Sequence, residues 1–377
     1  MNVLMLLSNP VKNDTRVLYE IDALKKEGHS VKIIVWDKYK NLSKREVWKD
    51  FEIFRLHTFI LDKFWNVLDY PIWWKSSLKK ALLLYKKDFQ FDVVHCHDLD
   101  TLPTGFILKK LLGCKLIYDA HEIWKLMFEK KVPRIYTSFF DKLERKLLGY
   151  IDEMIVIDEA YKNYYQKFTN KNITIVTHCK PLKYSEYKPP NNKVFTLCYI
   201  GSRGKKRFFP DIIDLVEEID NVKLVLAGKE KDKNAEKKIK KQMEKYKCVD
   251  YLGEIPTEDI LPLTRNSDAT FILVNVEEDE HYKYNVFNKQ FEAMVCGRPI
   301  ICTENTYSGN ITKEKECGLV VTYKREKIKK AIILLRDNKE LCKKLGKNAF
   351  EAAFKEYNWP KEKEKLIDVY KKIEKNL

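Results

Sequence analysis

Histidines and acids are concentrated in two short segments of the N-terminal half, each beginning within or after an apolar run. The segments are His95–Asp100 (HCHDLD) and Tyr118–Glu122 (YDAHE). A histidine at the carboxyl end of a parallel strand lies where such sheets bind ligands, and its imidazole can position a substrate near neutral pH. His121 is therefore a candidate active-site residue, and a packed structural histidine is the alternative.

The first segment has two interpretations. Asp98 and Asp100 have the spacing of an Asp-x-Asp pair that can bind a divalent cation. The alternative is a loop that places His97 and Asp98 beside a substrate, and the two-domain organisation described below favours it. We expect no metal here, and we expect His95 to point away from His97 and to pack in the interior.

A basic loop, Gly201–Arg207 (GSRGKKR), joins a predicted buried strand to a predicted helix. Glycines let a backbone approach an anion, free N–H groups at a helix start can bind it, and Arg and Lys side chains can neutralise a diphosphate. A solvated basic turn is the alternative. The chain contains neither a Gly-x-Gly-x-x-Gly pattern nor a P-loop, which argues against a dinucleotide oxidoreductase or a P-loop ATPase.

Two predicted helices carry charged residues in unusual places. Glu292 lies within the apolar face of the helix predicted over 287–296, where a carboxylate needs a partner such as a ribose hydroxyl, although a surface glutamate is the alternative. Asp14 is the predicted N-cap of the first helix. Arg16, in the first turn of that helix, opposes the helix dipole, which indicates a functional reason for it.

Apolar runs alternate with amphipathic stretches from one end of the chain to the other, which predicts parallel α/β sheets. The segment 177–193 contains three prolines and interrupts the alternation, so we interpret it as a linker. We predict two doubly wound Rossmann-like domains over 1–185 and 186–356 that face a central cleft. A C-terminal helix over 357–377 follows.

The 377 residues include 71 Lys and Arg against 55 Asp and Glu, a formal net charge of +16. Such a surplus suggests nucleic acid, an anionic membrane or a phosphorylated substrate as partner. No nucleic-acid-binding signature is present, so we expect no nucleic acid. Nine isolated cysteines predict reduced core thiols, and the N-terminus resembles a first strand rather than a signal peptide, so we expect a cytoplasmic protein.

Two regions mix aromatic and basic side chains. The first comprises Phe64-Trp65, 70–75 and Lys79-Lys80, and the second is 124–131 with Phe139-Phe140 beyond it. Segments of this kind bind the interface of an anionic membrane, and they also suit ordinary helix packing with lysines on the outside. Ordinary helix packing is the favoured interpretation, and peripheral contact with the inner face of an anionic membrane is the alternative that stays open.

Taken together, several segments resemble one branch of retaining glycosyltransferase family 4, which has the GT-B fold and an N-terminal Asn-Asp-Thr-Arg motif. The similar segments are Asn13–Val17, Gly28–Val31, Asp92–Pro103, Lys115–Glu122, Phe291–Pro299 and Tyr357–Trp359. The resemblance implies transfer of a sugar from a nucleotide-diphosphate sugar to a glycan, lipid-linked or small-molecule acceptor. It also implies retention of anomeric configuration, with no metal or cofactor.

The resemblance assigns donor binding to the C-terminal domain. There Arg203 and either Lys206 or Arg207 resemble the pair that clamps the diphosphate, and Asn288 and Lys289 line the phosphate loop. Glu292 is similar to the second acid of the family's Glu-x7-Glu motif, which binds ribose. The first acid is replaced by Tyr284.

In the N-terminal domain, the resemblance makes His121 the catalytic residue near the transferred sugar. Asp14, Arg16, His97 and Asp98 lie on the acceptor side, and the final helix returns to this domain. Two alternatives stay open: a nucleotide-sugar 2-epimerase of the same fold, and a non-catalytic protein that binds nucleotide sugars or glycans.

Overall fold

The computed structural model describes residues 1–12, 14–48, 50–58, 69–129, 131–228 and 233–377. The chain forms two compact units. One comprises Met1–Thr177 together with Glu362–Leu377, and the other comprises His178–Lys361. The division falls at the start of the proline-rich segment, before the boundary expected after residue 185. Among the predicted residues, Asn13, Phe64, Trp65 and Lys130 lie outside the described ranges.

The first unit is built on an eight-stranded sheet. Its strands are β1 (Asn2–Leu7), β2 (Ser30–Trp36), β3 (Arg45–Trp48), β4 (Phe51–Leu56), β5 (Val93–His97), β6 (Lys115–Ala120), β7 (Glu153–Val156) and β8 (Ile173–Ile175). They follow the order β3-β4-β2-β1-β5-β6-β7-β8, and only the β3–β4 pair is antiparallel. The strand order reverses at β1, which lies between β2 and β5. Such a switch point is where doubly wound sheets bind ligands.

Helices connect these strands. They are α1 (Thr15–Lys26), α2 (Tyr70–Lys87), α3 (Leu102–Leu112), α4 (Trp124–Phe128), α5 (Arg134–Leu148) and α6 (Glu159–Tyr165). The side chain of Asp14 accepts a hydrogen bond from the backbone N–H of Val17, which confirms the predicted N-cap of α1. Val17, Ile21 and Leu24 are buried and form the apolar face of this helix, and Leu18 beside them is half-buried.

The second unit has a six-stranded, wholly parallel sheet. Its strands are β9 (Phe195–Ile200), β10 (Val222–Ala227), β11 (Val249–Tyr251), β12 (Ala269–Ile272), β13 (Ile300–Thr303) and β14 (Gly318–Val321). The order is β11-β10-β9-β12-β13-β14, so the switch point lies between β9 and β12. The two parallel α/β units confirm the predicted fold class.

The remaining helices follow in chain order. They are α7 (Asp211–Glu217), α8 (Lys233–Lys245), α9 (Thr257–Arg265), α10 (Asn288–Cys296), α11 (Tyr307–Glu314), α12 (Arg325–Asp337), α13 (Lys339–Lys355) and α14 (Trp359–Glu374). From Glu362 onward α14 belongs to the first unit, where the Glu362 carboxylate accepts a hydrogen bond of 2.8 Å from the backbone N–H of Thr177.

All nine cysteines are free and all but Cys248 are buried, as expected for core thiols. Within the described ranges, no helix combines the length and the apolar character that crossing a membrane requires. Among the strands, the sequence prediction omits β3 and β4; it also omits the helices α2, α4, α6, α8, α9, α11, α12 and α13.

The packing of α3 on the sheet fixes the geometry around β5 and β6. A Cβ atom on Gly105 would lie 2.3 Å from the sulfur of Cys96 and 2.7 Å from a methyl group of Leu116. Gly105 therefore allows α3 to approach these two strands more closely than any other residue type would.

Gly105→Ala should lower the free energy of unfolding by about 1–3 kcal/mol, the usual cost of overpacking a core. Urea unfolding measures the effect. Gly149→Ala is the matched control, because the nearest atom to its Cβ would be 3.5 Å away, and it should be neutral or slightly stabilising. Equal midpoints for the two variants would show that α3 can shift without cost.

Candidate functional site

The predicted residues of the first unit come together at the switch point of its sheet. Parallel pairing places β5 between β1 and β6, so the loops that follow these three strands are neighbours. The loop after β1 leads to Asp14 and Arg16, the end of β5 carries His97 and Asp98, and the end of β6 leads to His121. The sequence places these residues on separate segments, and the sheet brings them to one edge.

Asp119 is the centre of this cluster. One of its carboxylate oxygens, Oδ2, lies 2.7 Å from Nε2 of His121, 3.4 Å from Nε2 of His95 and 3.4 Å from Nδ1 of His97. Burial would raise the pKa of Asp119, but the three histidines, His121 above all, hold that pKa well below its usual range. Asp119 is therefore an ionised acceptor shared by three imidazoles.

Asp119 was missed by the sequence analysis, and the orientation expected for His95 was wrong. Residues two apart on a strand share a face, so His95 points to the same side as His97. Their rings stack with centroids 4.4 Å apart and planes 20° apart, and both side chains are buried. Burial, reinforced by His95, lowers the pKa of His97 to about 3, so this imidazole is neutral at physiological pH. The same two-residue spacing relates Asp119 to His121 and was the available signal.

Asp98 joins the loop after β5 to the loop after β6. Its Oδ1 accepts hydrogen bonds from the backbone N–H groups of His121 (2.8 Å) and Glu122 (3.1 Å). Its Oδ2 lies 3.8 Å from Nδ1 of His121. Asp98 itself has a positive φ of 63°, a conformation that aspartate tolerates better than most residues. Asp98 thus positions His121 through the backbone.

The start of α1 adds a charged pair. The Asp14 carboxylate accepts hydrogen bonds from Asn9 (2.9 Å) and from Arg16 (3.2 Å) as well as capping the helix. Burial would lower the pKa of Arg16, but the carboxylates of Asp14 and Asp98 raise it. Arg16 is thus stabilised in the first turn by acids that offset the unfavourable helix dipole.

In the second unit, the basic loop follows β9 at the switch point. Gly201, Gly204 and Gly228 have φ values of 137°, 155° and 105°. A Cβ atom on Gly228 would lie 2.9 Å from the backbone nitrogen of Gly201, so the chain ends of β9 and β10 touch through their backbones. This close approach requires glycine at Gly228.

Two arginines of this loop are held by neutral oxygens. Arg203 is 5% exposed, and it donates to the carbonyl of Gly228 (2.9 Å) and the hydroxyl of Tyr251 (3.3 Å), while its Nε has no hydrogen-bond partner. Arg207 donates to the hydroxyl of Ser202 (2.7 Å). In the described part of the chain, neither guanidinium forms an ion pair with a carboxylate.

The neighbouring lysines differ in their partners. Lys206 forms an ion pair of 2.9 Å with Asp279, so its charge is neutralised within the protein. Lys289 lies 4.3 Å from the centroid of the Tyr199 ring, and its Nζ would be 3.1 Å from a Cβ on Gly201. We define Arg203, Arg207 and Lys289 as the cation group, since no acid among the described residues pairs with them.

The helix after this loop, α7, begins too far along the chain for its free N–H groups to belong to the loop. α7 starts at Asp211, four residues beyond Arg207, and a short 3-10 turn occupies Lys205–Arg207. Phe208 has a left-handed φ of 60°, and Pro210 lacks the N–H that a longer helix would use. The expected contribution of a helix N-terminus to this loop is therefore not found at α7.

The remaining predicted donor residues lie on and beside α10. Glu292 is buried, and its Oε1 is 3.4 Å from Nζ of Lys180, which supplies the partner a buried carboxylate needs. Asn288 is the exposed first residue of α10. Tyr284 ends a 3-10 turn, and its backbone N–H donates to the carbonyl of His281.

The chain thus folds into two Rossmann-like α/β units, each with its charged residues at the switch point of its sheet. Residues 14–179 match the model of Glycosyltransferase Family 4, and residues 183–352 match the model of Glycosyl transferases group 1. The two matches together span most of the chain, which belongs to the glycosyltransferases of the group 1, GT-B type.

Individual proteins agree with this assignment. The chain is 24% identical over 313 residues to the uncharacterized glycosyltransferase MJ1069 of Methanocaldococcus jannaschii, covering 77% of this chain and 76% of that protein. Sucrose-phosphate synthase from Thermosynechococcus elongatus superimposes with a TM-score of 0.81 at 16% identity, over 100% of both chains. Anabaena HepE in complex with UDP-glucose superimposes with a TM-score of 0.70 at 12% identity, over 99% of this chain and 100% of that one.

Proposed function

We propose that the protein transfers a sugar from a nucleotide-diphosphate sugar to a glycan, lipid-linked or small-molecule acceptor, with retention of anomeric configuration. The cation group is the observation that carries this proposal. Arg203, Arg207 and Lys289 provide positive charge that the protein's own described acids leave unneutralised, at the switch point where α/β sheets bind ligands.

The chemistry of the leaving group explains why such charge is needed. As the bond to the sugar breaks, negative charge develops on the diphosphate, and fixed cations stabilise it without reorganisation. Arginine can donate two parallel hydrogen bonds to phosphate oxygens, and Lys289 adds a point charge. These residues supply the charge that a metal ion provides in other transferases, so the proposed reaction needs no metal and no cofactor.

One structural neighbour guides the choice of donor, and two ion pairs guide the choice of donor-binding residues. HepE, a structural neighbour, binds UDP-glucose, which makes UDP-sugars the first donors to test on this chain. Glu292 is the proposed ribose ligand, with Lys180 holding its carboxylate at 3.4 Å. The ion pair between Lys206 and Asp279 favours Arg207 over Lys206 as the second member of the diphosphate clamp.

The first unit supports retention by direct attack. His121 is the proposed catalytic residue beside the transferred sugar, with Asp14, Arg16, His97 and Asp98 on the acceptor side. A double displacement would need a carboxylate nucleophile. Asp119 is enclosed by three histidines and Asp98 binds two backbone N–H groups, so both carboxylates are already engaged. Front-face attack assisted by the leaving phosphate requires no such nucleophile.

Arg207→Ala should weaken donor binding by about 10- to 100-fold, the range for losing a charged hydrogen bond. A thermal-shift panel of nucleotide sugars, beginning with UDP-glucose, first selects the donor that stabilises the wild-type chain most. Titration of that donor then compares the variants.

Lys206→Ala is the matched control for this titration. It removes an adjacent positive charge that Asp279 already neutralises, so it should change the dissociation constant by less than about threefold, as expected for a pair with a half-exposed lysine. Equal losses in both variants would show that the loop binds by general charge rather than through Arg207.

The exposed face of α5 suits a membrane surface, and we propose that the protein acts in the cytoplasm at the inner face of an anionic membrane. Ile135 and Phe139 are 75% and 56% exposed one helical turn apart. Lys142 and Lys146 continue the same face and are also exposed. Apolar side chains would enter the bilayer interface while the lysines contact acidic lipid headgroups.

Phe139→Asp should reduce cosedimentation with phosphatidylglycerol vesicles by about 5-fold or more, because it removes apolar contact and adds a like charge. Val47→Asp changes an apolar side chain that is 64% exposed on β3 and should bind as wild type. If the wild-type chain binds neutral phosphatidylcholine vesicles equally well, or neither type, the membrane proposal is wrong.

A further inference from the structure

A tyrosine of α14 reaches the histidine cluster of the first unit. Tyr370 is fully buried, and its hydroxyl lies 2.7 Å from Nδ1 of His95. The other ring nitrogen of His95, Nε2, lies 3.4 Å from Oδ2 of Asp119, and that oxygen is 2.7 Å from Nε2 of His121. We call these four residues the Tyr370–His121 chain, and all of them belong to the first unit.

The ionised carboxylate of Asp119 fixes the direction of one hydrogen bond, and we infer the direction of the other from it. Asp119 is ionised and can only accept, so Nε2 of His95 must donate to it. A neutral imidazole that donates from Nε2 accepts at Nδ1. Burial, with the negative charges of Glu20 and Asp119, raises the pKa of Tyr370 well above its usual value, so the Tyr370 hydroxyl keeps its proton and donates to Nδ1 of His95.

The same region has side chains that could hold a cation. Ligand atoms of Glu20, His95, His97 and Asp119 lie within 4.8 Å of one another. An ion must lie close to the plane of each imidazole that binds it, about 2.0–2.1 Å from the nitrogen for zinc. The stacked rings of His95 and His97 are tilted by only 20°, so their planes meet well beyond that distance. A chain of hydrogen bonds therefore explains these contacts better than a shared ion.

We propose that Tyr370 and His95 are positioning residues for His121. Tyr370 selects the His95 tautomer that donates to Asp119, and Asp119 in turn orients the His121 ring and fixes which of its nitrogens carries the proton. The inference rests on the proposed role of His121 in sugar transfer. Under this proposal the C-terminal helix α14 contributes to the active site, because it carries Tyr370, which is 275 residues after His95.

The direct test is nitrogen NMR of the full chain with labelled histidine, which reports the tautomer of each ring. The wild-type chain should show His95 protonated on Nε2 and bare on Nδ1. Tyr370→Phe should shift the His95 and His121 signals. Tyr165→Phe removes another buried tyrosine hydrogen bond, 2.8 Å to Glu144, and should leave both unchanged. A proton on Nδ1 of His95 in the wild type, or unmoved His121 signals in Tyr370→Phe, would overturn the proposal.

Kinetics separate this inference from the proposed function. With UDP-glucose as the probe, Tyr370→Phe should lower kcat about 3- to 10-fold, as for the loss of one hydrogen bond, and leave KM within about twofold. Tyr165→Phe should match the wild type. His121→Ala should lower kcat about 100-fold.

The kinetic results distinguish a wrong role for His121 from a wrong role for Tyr370. Full activity in His121→Ala would contradict the proposed role of His121 in transfer. An inactive His121→Ala variant, together with equal kcat values for Tyr370→Phe and Tyr165→Phe, would contradict only the positioning role. The NMR result decides the geometry of the chain of hydrogen bonds whichever nucleotide sugar the enzyme prefers.

Discussion

Positive charge that no acid among the described residues neutralises is the constraint on which the second unit depends. Burying a guanidinium costs free energy unless polar groups surround it. Here a backbone carbonyl, a tyrosine hydroxyl and a serine hydroxyl contact Arg203 and Arg207 and leave their net charge intact. Glycine at Gly228 lets the backbones of two strand ends meet and supplies one of these carbonyls. Lys206 of the same loop is paired with Asp279, so Arg203 and Arg207, rather than Lys206, keep their charge for the proposed diphosphate.

In the first unit, by contrast, the charged groups are paired with one another. Its acids and bases satisfy one another, with Asp119 between three histidines and Asp14 beside Arg16. The proposed role of His121 fits such a network, because groups that are oriented before a substrate binds lower the cost of organising an active site. Each sheet has a switch point. In the second unit it carries the cation group, and in the first unit it carries Asp119 and the three histidines.

Local sequence pattern predicts the helices and strands, but it does not predict which distant side chains contact one another. The strands β5 and β6, the N-cap at Asp14 and the parallel α/β architecture follow from local pattern and are found in the structure. Applied correctly, the two-residue period of a strand would also have placed His95 beside His97. The choice between Lys206 and Arg207 depends on Asp279, 73 residues away, and the contact of Tyr370 with His95 depends on the course of α14. Spacing carries no information about such contacts, because the fold creates them.

In the proposed retaining transfer, side-chain cations rather than a metal carry the charge of the departing nucleotide diphosphate. The most direct measurement follows the anomeric proton signal by NMR during turnover of the α-configured nucleotide sugar selected by the thermal-shift panel, with and without EDTA. A metal-independent, retaining transfer predicts the same rate with and without EDTA and an α-configured product. A rate that falls in EDTA and recovers with a divalent metal, or a β-configured product, would contradict it.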